Sequence, residues 1–275
     1  MELLKTTIRI GLDKPFKVLH LSDTHLTFAD SRDDQRKLNL AAARLKVFGQ
    51  TEGYLNEAAA YARENGMPII HTGDLLDFVS ELNIDKARAF CEENDVFMAA
   101  GNHEFSLYVG EAFEDAAYRN QSLSKVQAAF KNDIRFAVRE IGGVNFVAMD
   151  NGYYLTEPEQ LTALKAVVAE GKPVIVMMHT PLHTKALYDS RMVGKANNAA
   201  LMGTPEELLQ CYPPDRYRQQ KPDAPTLEMI GYLTSEPLIK ALIVGHLHNS
   251  FEDAVTDTLT QYCTGLNTAR EITFE

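Results

Sequence analysis

Five short polar motifs, each directly after a short apolar run, constrain this chain more than any other feature. They are Ser22-Asp23-Thr24-His25, Gly73-Asp74-Leu75-Leu76-Asp77, Gly101-Asn102-His103-Glu104, Met178-His179-Thr180 and Gly245-His246-Leu247-His248. Five of the eight histidines fall in these pieces, and His71 stands just before Gly73. The apolar runs at 16–21, 67–71, 96–100, 173–178 and 241–244 read as buried strands. Helical patterns lie between them at 38–64, broken near Gly49 and Gly53, at 84–93 and at 157–170. Thr156 is the expected N-cap of the last, with Pro158 tolerated in its first turn. Ile8-Arg9-Ile10 is expected to open a strand. Residues 134–139 and 144–149, around Gly142-Gly143, read as a β-hairpin. The tail from 249 to 275 reads as two or three strands. Strands interleaved with helices predict an α/β sandwich, and the hairpins make its sheets mixed. Ligands of such folds gather in loops just past the strand ends, where the five motifs stand.

Each motif alone is weak. A D-x-H triplet can be a helix cap beside a core histidine, a Gly-Asp pair is a common turn, and a lone histidine is usually packed. His246 and His248 are a stronger pair, because residues two apart on an extended chain share a direction. Burying five polar pieces together is costly without a purpose. A two-cation site accounts for all of them. Carboxylate, imidazole and amide oxygen suit Mn, Fe or Zn, and the absence of cysteine from the set argues against structural zinc. Two cations ~3.5–4 Å apart need a bridging anion, and water shared between them becomes a nucleophile near neutral pH. A histidine that binds no metal can protonate the leaving alkoxide.

The order D-x-H, G-D-x-x-D, G-N-H-E, H, G-H-x-H resembles the calcineurin-like metallophosphoesterase superfamily, from Asp23 to His248. The resemblance implies a four-layer α/β/β/α sandwich with the site between two mixed sheets. It implies that Asp23, His25, Asp74 and His248 hold one cation. Asp74, Asn102, His179 and His246 hold the other, with Asp74 bridging. His103 is then catalytic, stabilising charge or protonating the leaving group. Asp77 is read as a ligand-orienting residue or a helix cap, and Glu104 as a partner of His103 or a structural residue. His183 is expected at the site rim, and His20 and His71 inside strands. Asn151 is expected either to face substrate or, with Gly152, to form a turn. The protein Ser/Thr phosphatases of the superfamily carry G-D-x-V-D-R-G, and Phe78 stands where their phosphate-binding Arg would be. A phosphodiester or small phosphomonoester, including nucleotide-like ones, is therefore the expected substrate.

Composition narrows the remainder. The 275 residues fit one domain, with residues 181–240, rich in Pro and carrying Tyr212 and Tyr217, as an insertion or lid over the site. A net charge of −11 disfavours stable nucleic-acid binding, which needs clustered Lys and Arg. Three scattered cysteines, Cys91, Cys211 and Cys263, no apolar leader and no apolar run long enough to cross a membrane point to a cytoplasmic setting. Oligomeric state is unreadable. A second function class is a scaffold module of the same fold that has lost its chemistry, but such modules lack ligands that this chain retains. Amidohydrolase barrels carry H-x-H early, and binuclear β-lactamase-like enzymes carry H-x-H-x-D-H. Neither order occurs here.

Overall fold

A strand whose two faces are both apolar must be covered on both sides. The computed structural model describes residues 1–110, 113–194 and 200–275, and it meets that need with two stacked sheets. The first sheet joins β1 (Glu2–Ile8), β2 (Phe16–Leu21), β3 (Ile69–His71), β4 (Val96–Met98) and β11 (Thr268–Phe274) in the order β1-β11-β2-β3-β4. The second joins β5 (Phe136–Ile141), β6 (Val144–Met149), β7 (Val174–Met177), β8 (Ile239–Val244), β9 (Phe251–Ala254) and β10 (Thr260–Cys263) in the order β5-β6-β7-β8-β10-β9. Strands β2, β3 and β4 run parallel in one sheet, and β6, β7, β8 and β10 in the other, while β11 is antiparallel to β2, β5 to β6 and β9 to β10. Both sheets are mixed, as expected.

Side-chain alternation divides the apolar residues among three cores. On β2, Val18 faces the space between the sheets while Leu19 and Leu21 face outward. On β7, Ile175 and Met177 face between the sheets, and Val174 and Val176 face outward. Helices α1 (Gln35–Phe48), α2 (Thr51–Glu64), α3 (Glu81–Glu93), α4 (Ala116–Asn120) and α5 (Leu123–Gln127) belong to the first half of the chain. Leu55, Ala58 and Ala62 of α2 and Ile84, Ala87 and Phe90 of α3 cover the first sheet's outer face. Helices α6 (Pro158–Val168), α7 (Lys185–Arg191), α8 (Glu206–Leu209), α9 (Pro214–Gln220) and α10 (Ala224–Ser235) follow. Leu161 and Leu164 of α6 and Met229 and Leu233 of α10 cover the second sheet. The result is the α/β/β/α arrangement.

Several local expectations need correction. The first strand ends at Ile8 instead of opening there, because it pairs in parallel along its whole length with the C-terminal β11. A local pattern cannot reveal a partner so distant in the chain. The N-cap of α6 is Glu157, which shares a reciprocal capping box with Gln160. Thr156 instead has its backbone N–H bound by Thr226. The expected break after α1 falls at Gly49, whose φ is 71°, while Gly53 lies inside α2. Residues 181–240 are mostly helical and divide in two. Leu187, Tyr188, Met192, Leu201, Leu209 and Tyr212 form a small core of their own, whereas α10 belongs to the outer helical layer. Residues 195–199 of that segment lie outside the described residues.

The sheet-to-sheet core centres on Phe146, fully buried with edge-on contacts to Phe16 and Phe274 at 6.2 and 5.4 Å between ring centroids. Phe146→Ala is expected to cost about 3–5 kcal/mol, because a close-packed interior closes only partly around the void. Urea unfolding would show a lower midpoint with an unchanged slope. A loss below about 1 kcal/mol, the size of an ordinary surface change, would contradict the packing described.

Candidate metal centre

All five motifs follow the C-terminal ends of parallel strands. Asp23 and His25 follow β2, Asp74 follows β3, Asn102 follows β4, His179 follows β7 and His246 and His248 follow β8. To turn their side chains inward, the backbone leaves the strand conformation abruptly. Asp23, His25, Asp74, His246 and His248 have φ between 47° and 71°, the left-handed region that non-glycine residues avoid. Such conformations cost roughly 1–3 kcal/mol each and persist only where the surroundings over-determine them.

The surroundings do so through backbone hydrogen bonds. The buried Glu104 carboxylate accepts from the N–H groups of Asp74 (2.7 Å), Leu75 (2.7 Å), Leu76 (3.1 Å) and Gly101 (2.6 Å). Burial and the neighbouring Asp74 charge raise the Glu104 pKa to about 7, a shift that these backbone donors oppose. Glu104 thus ties the β3 and β4 loops together, the structural one of its two expected roles. Gly73 and Gly101 let those loops press against each other. A Cβ on Gly73 would strike the backbone of Gly101, and one on Gly101 would strike the Asp74 carboxylate. On the other sheet, Asn151 accepts from the N–H groups of His179 and Thr180, both at 2.9 Å, and donates to the Thr180 carbonyl at 2.8 Å. Of its two expected roles it takes the turn, its carbonyl accepting from the Tyr154 N–H at 2.9 Å, and its side chain also fixes the His179 loop.

The expected ligands meet in two groups that share one residue. Ligand-capable atoms of Asp23, His25, Asp74 and His248 lie within 4.8 Å of one another, and those of Asp74, His179 and His246 do the same. Asp74 belongs to both. Its Oδ2 is 3.1 Å from His179 Nε2 and 3.8 Å from His25 Nε2. Its Oδ1 accepts from the His103 backbone N–H at 2.9 Å.

The donor set fits cations on its own chemistry. His179 Nδ1 is 2.7 Å from the Thr72 carbonyl, an acceptor only, so Nδ1 carries the hydrogen and Nε2 presents a lone pair. His25 Nδ1 is 3.0 Å from the Asp77 carboxylate, which leaves His25 Nε2 facing inward in the same way. That nitrogen stands 3.0 Å from His248 Nε2, and His179 Nε2 stands 3.1 Å from His246 Nδ1. Two facing lone pairs repel unless a cation or proton lies among them. Asn102 Oδ1 is buried without a hydrogen-bond partner, an open acceptor at the same centre. Burial lowers the pKa of His25 and of His246, which favours the neutral, ligating form. Burial also opposes charge on His179, but Asp74 outweighs it and raises that group to about 9, where a cation would displace the proton.

His103 sits beside this pair of groups and partly exposed. Its Nδ1 is 2.7 Å from the Asp77 carbonyl and 3.3 Å from the Asp77 carboxylate. Burial disfavours its charge, yet Asp74 and Asp77 together push it up to about 10. Asp77 orients both His25 and His103 and caps no helix: Ser80 caps α3. His20 bridges the Thr72 and Thr264 hydroxyls, and His71 faces Thr24, so both are structural as expected. His183 lies beside Tyr188, with ring centroids 5.5 Å apart, and does not line the cavity.

Several residues of the site carry no motif. Arg44 of α1 holds Asp77 with both ends of its guanidinium, at 2.6 and 2.8 Å, and Phe48 stacks on His25 at 4.1 Å and 8° between planes. Tyr154, another left-handed residue, brings its hydroxyl to 3.2 Å from His246 Nε2. A cavity of roughly 300 Å³ opens over Asp74, Asn102, His103, His246 and His248, and Glu114, Tyr154, Met192 and Arg216 complete it. Phe48 and Arg44 four residues apart share a helix face, but nothing in the sequence ties that face to His25.

The sequence profile of calcineurin-like phosphoesterases matches residues 16–250. No curated protein sequence matches the chain. Among solved structures, a dimetal phosphatase from Danio rerio has a TM-score of 0.54 at 14% identity, covering 92% of this chain and 88% of its own. Phosphopantetheinyl hydrolase from Mycobacterium tuberculosis has 0.47 at 12%, covering 95% and 90%. A 5′-nucleotidase from Candida albicans has 0.45 at 12%, covering 91% of this chain, which spans 46% of that protein. The first of these likenesses is one of fold.

Since partners that hold a ligand's far nitrogen typically matter roughly 10–100-fold for metal affinity, Arg44→Met is expected to weaken Mn²⁺ binding by that order. Calorimetric titration of metal-free protein would read it. Unchanged affinity would remove Arg44 from the support of the centre.

Proposed function

We propose, for a chain that belongs to the calcineurin-like phosphoesterase family, that it hydrolyses a phosphodiester or a small phosphomonoester, including nucleotide-like ones, at a two-cation centre. The observation that carries this reading is the sharing of Asp74 by two ligand groups that together draw on both sheets. In the proposed assignment Asp23, His25, Asp74 and His248 hold one cation, and Asp74, Asn102, His179 and His246 the other. Mn, Fe and Zn all suit this mixture of carboxylate, imidazole and amide oxygen. When bound, the cations supply Lewis acidity, which activates water and neutralises charge on phosphoryl oxygens.

The protein's own groups do the rest. Asp77 and Arg44 fix the plane of His25, and Asp74 and Asp77 keep His103 in its acid form at neutral pH. With His103 Nδ1 engaged by Asp77, its Nε2–H is the donor left for the departing alkoxide. The Tyr154 hydroxyl, raised by burial and hence retained as a phenol, orients His246. Within the expected lid at 181–240, the end of α7 and α9 cover the centre in this proposal, supported by Met192 and Arg216 on the cavity wall. No helix among the described residues is long and apolar enough to cross a membrane. A cytoplasmic setting fits three cysteines that form no disulfide. The scaffold reading gains no support from a donor set this complete.

The direct test is hydrolysis of bis-p-nitrophenyl phosphate and p-nitrophenyl phosphate with added Mn²⁺. Turnover of at least one is expected, and metal-independent or absent turnover of both would refute the reading. Asp74→Ala is expected to lose two-cation occupancy by metal analysis, so two metals retained per chain would exclude its bridging role. His103→Ala should keep its metal and lose roughly 10²–10⁴-fold in kcat, the usual worth of a general acid. Wild-type kcat in that variant would exclude the assignment.

A further inference from the structure

The cavity contains one feature that hydrolysis of a simple phosphate ester does not use. Among the described residues lining it, Arg216 is the single Arg or Lys, and it comes from α9, not from a motif at a strand end. Its guanidinium donates to Gln219 Oε1 at 2.9 Å and stands 4.0 Å from the Glu114 carboxylate. Gln219 in turn donates to that same carboxylate at 2.6 Å. Arg216 is therefore held in place while only one of its N–H groups has an acceptor among the described residues. Its side chain is 37% exposed, whereas that of Glu114 is 13% exposed. A guanidinium with unspent donors in a cavity is arranged to bind an oxyanion, which it can take in two parallel hydrogen bonds. The phosphoryl group is already claimed by the centre at the strand ends. Phe78, the residue after Asp77, is fully buried and offers the substrate nothing.

We infer that Arg216 selects the substrate by pairing with a second anionic group, a carboxylate or another phosphate, on the alcohol portion of the ester. The inference rests on the phosphoesterase reading and deepens it: the substrate class is a phosphate ester with two separated anionic ends. Glu114 and Gln219 hold the guanidinium from the side and act as positioning residues. A neutral alcohol portion leaves Arg216 without a partner and is bound less well.

The test uses phosphonates, whose carbon–phosphorus bond this chemistry does not cleave. Binding of 4-phosphonobutanoate, 3-phosphonopropanoate and propylphosphonate, which has no carboxylate, to the Mn²⁺-loaded full chain is measured by titration calorimetry. Wild-type protein is expected to bind at least one carboxylate-bearing member roughly tenfold more tightly than propylphosphonate, the worth of a charge-assisted hydrogen bond. Arg216→Gln should erase that preference and leave propylphosphonate within about twofold, below the size of one net hydrogen bond. Arg216→Lys, which keeps the charge, should retain part of the preference. Propylphosphonate binding with no preference in wild type, or an equal loss for all three ligands in Arg216→Gln, overturns the role of Arg216 alone. Failure of wild-type protein to bind any phosphonate overturns it together with the phosphoesterase reading.

Discussion

The Asp74 carboxylate is the point on which the two halves of this molecule meet. It is buried between side chains from both sheets, close to His25 on one side and His179 on the other. A lone carboxylate in such a place carries a heavy desolvation cost, and its charge persists only because positive partners surround it. Burial alone would raise its pKa, but the neighbouring histidines hold it well below the usual carboxylate range. The sandwich architecture supplies this meeting place: parallel strands of the two sheets end along the same rim. The rim is also where the backbone is strained. Of the eight non-glycine residues with positive φ in the described chain, five are in the proposed ligand set, and Tyr154 and Ala200 line the cavity above them. Among the described non-glycine residues only Asn267 has such a backbone elsewhere, and strain gathered at one locus points to a functional centre.

Much of the fold was legible because both faces of the central strands are apolar. Runs such as Val174–Met177 cannot be half-exposed, so they demand covering layers on both sides. What local patterns could not show were pairings between the ends of the chain. The parallel match of β1 with β11 sets where the first strand stops, and no local signal near Ile8 encodes it. The capping of α6 falls to Glu157 and Gln160, one residue beyond Thr156, whose backbone N–H donates to Thr226 of α10. The long Pro-rich segment looked structureless because its apolar residues serve two cores with different directions.

The site divides along a similar line. The motif residues were visible because each needs a particular ligand atom and sits beside a turn. Their supports were not, because support is given by side chains whose identity is common and whose partner is remote. Arg44 is an ordinary residue of a helix that buries only Phe48. Nothing before folding says that its guanidinium ends on Asp77. Of the two readings of Glu104, partner of His103 or structural residue, the structural one holds, and the 3₁₀ turn at His103–Phe105 gives the two side chains different tasks. Adjacency is a poor guide wherever the backbone turns tightly.

The task Glu104 performs has a bearing on how the centre comes into being. Because one carboxylate gathers four backbone amides from two loops, the Asp74 and Asn102 corner is held by hydrogen bonds that do not themselves involve a cation. Metal capture then need not pay for ordering those loops, and the free energy of coordination is left for affinity itself. For cations bound at such a corner, exchange of one metal for another would be a matter of supply and ligand preference instead of refolding.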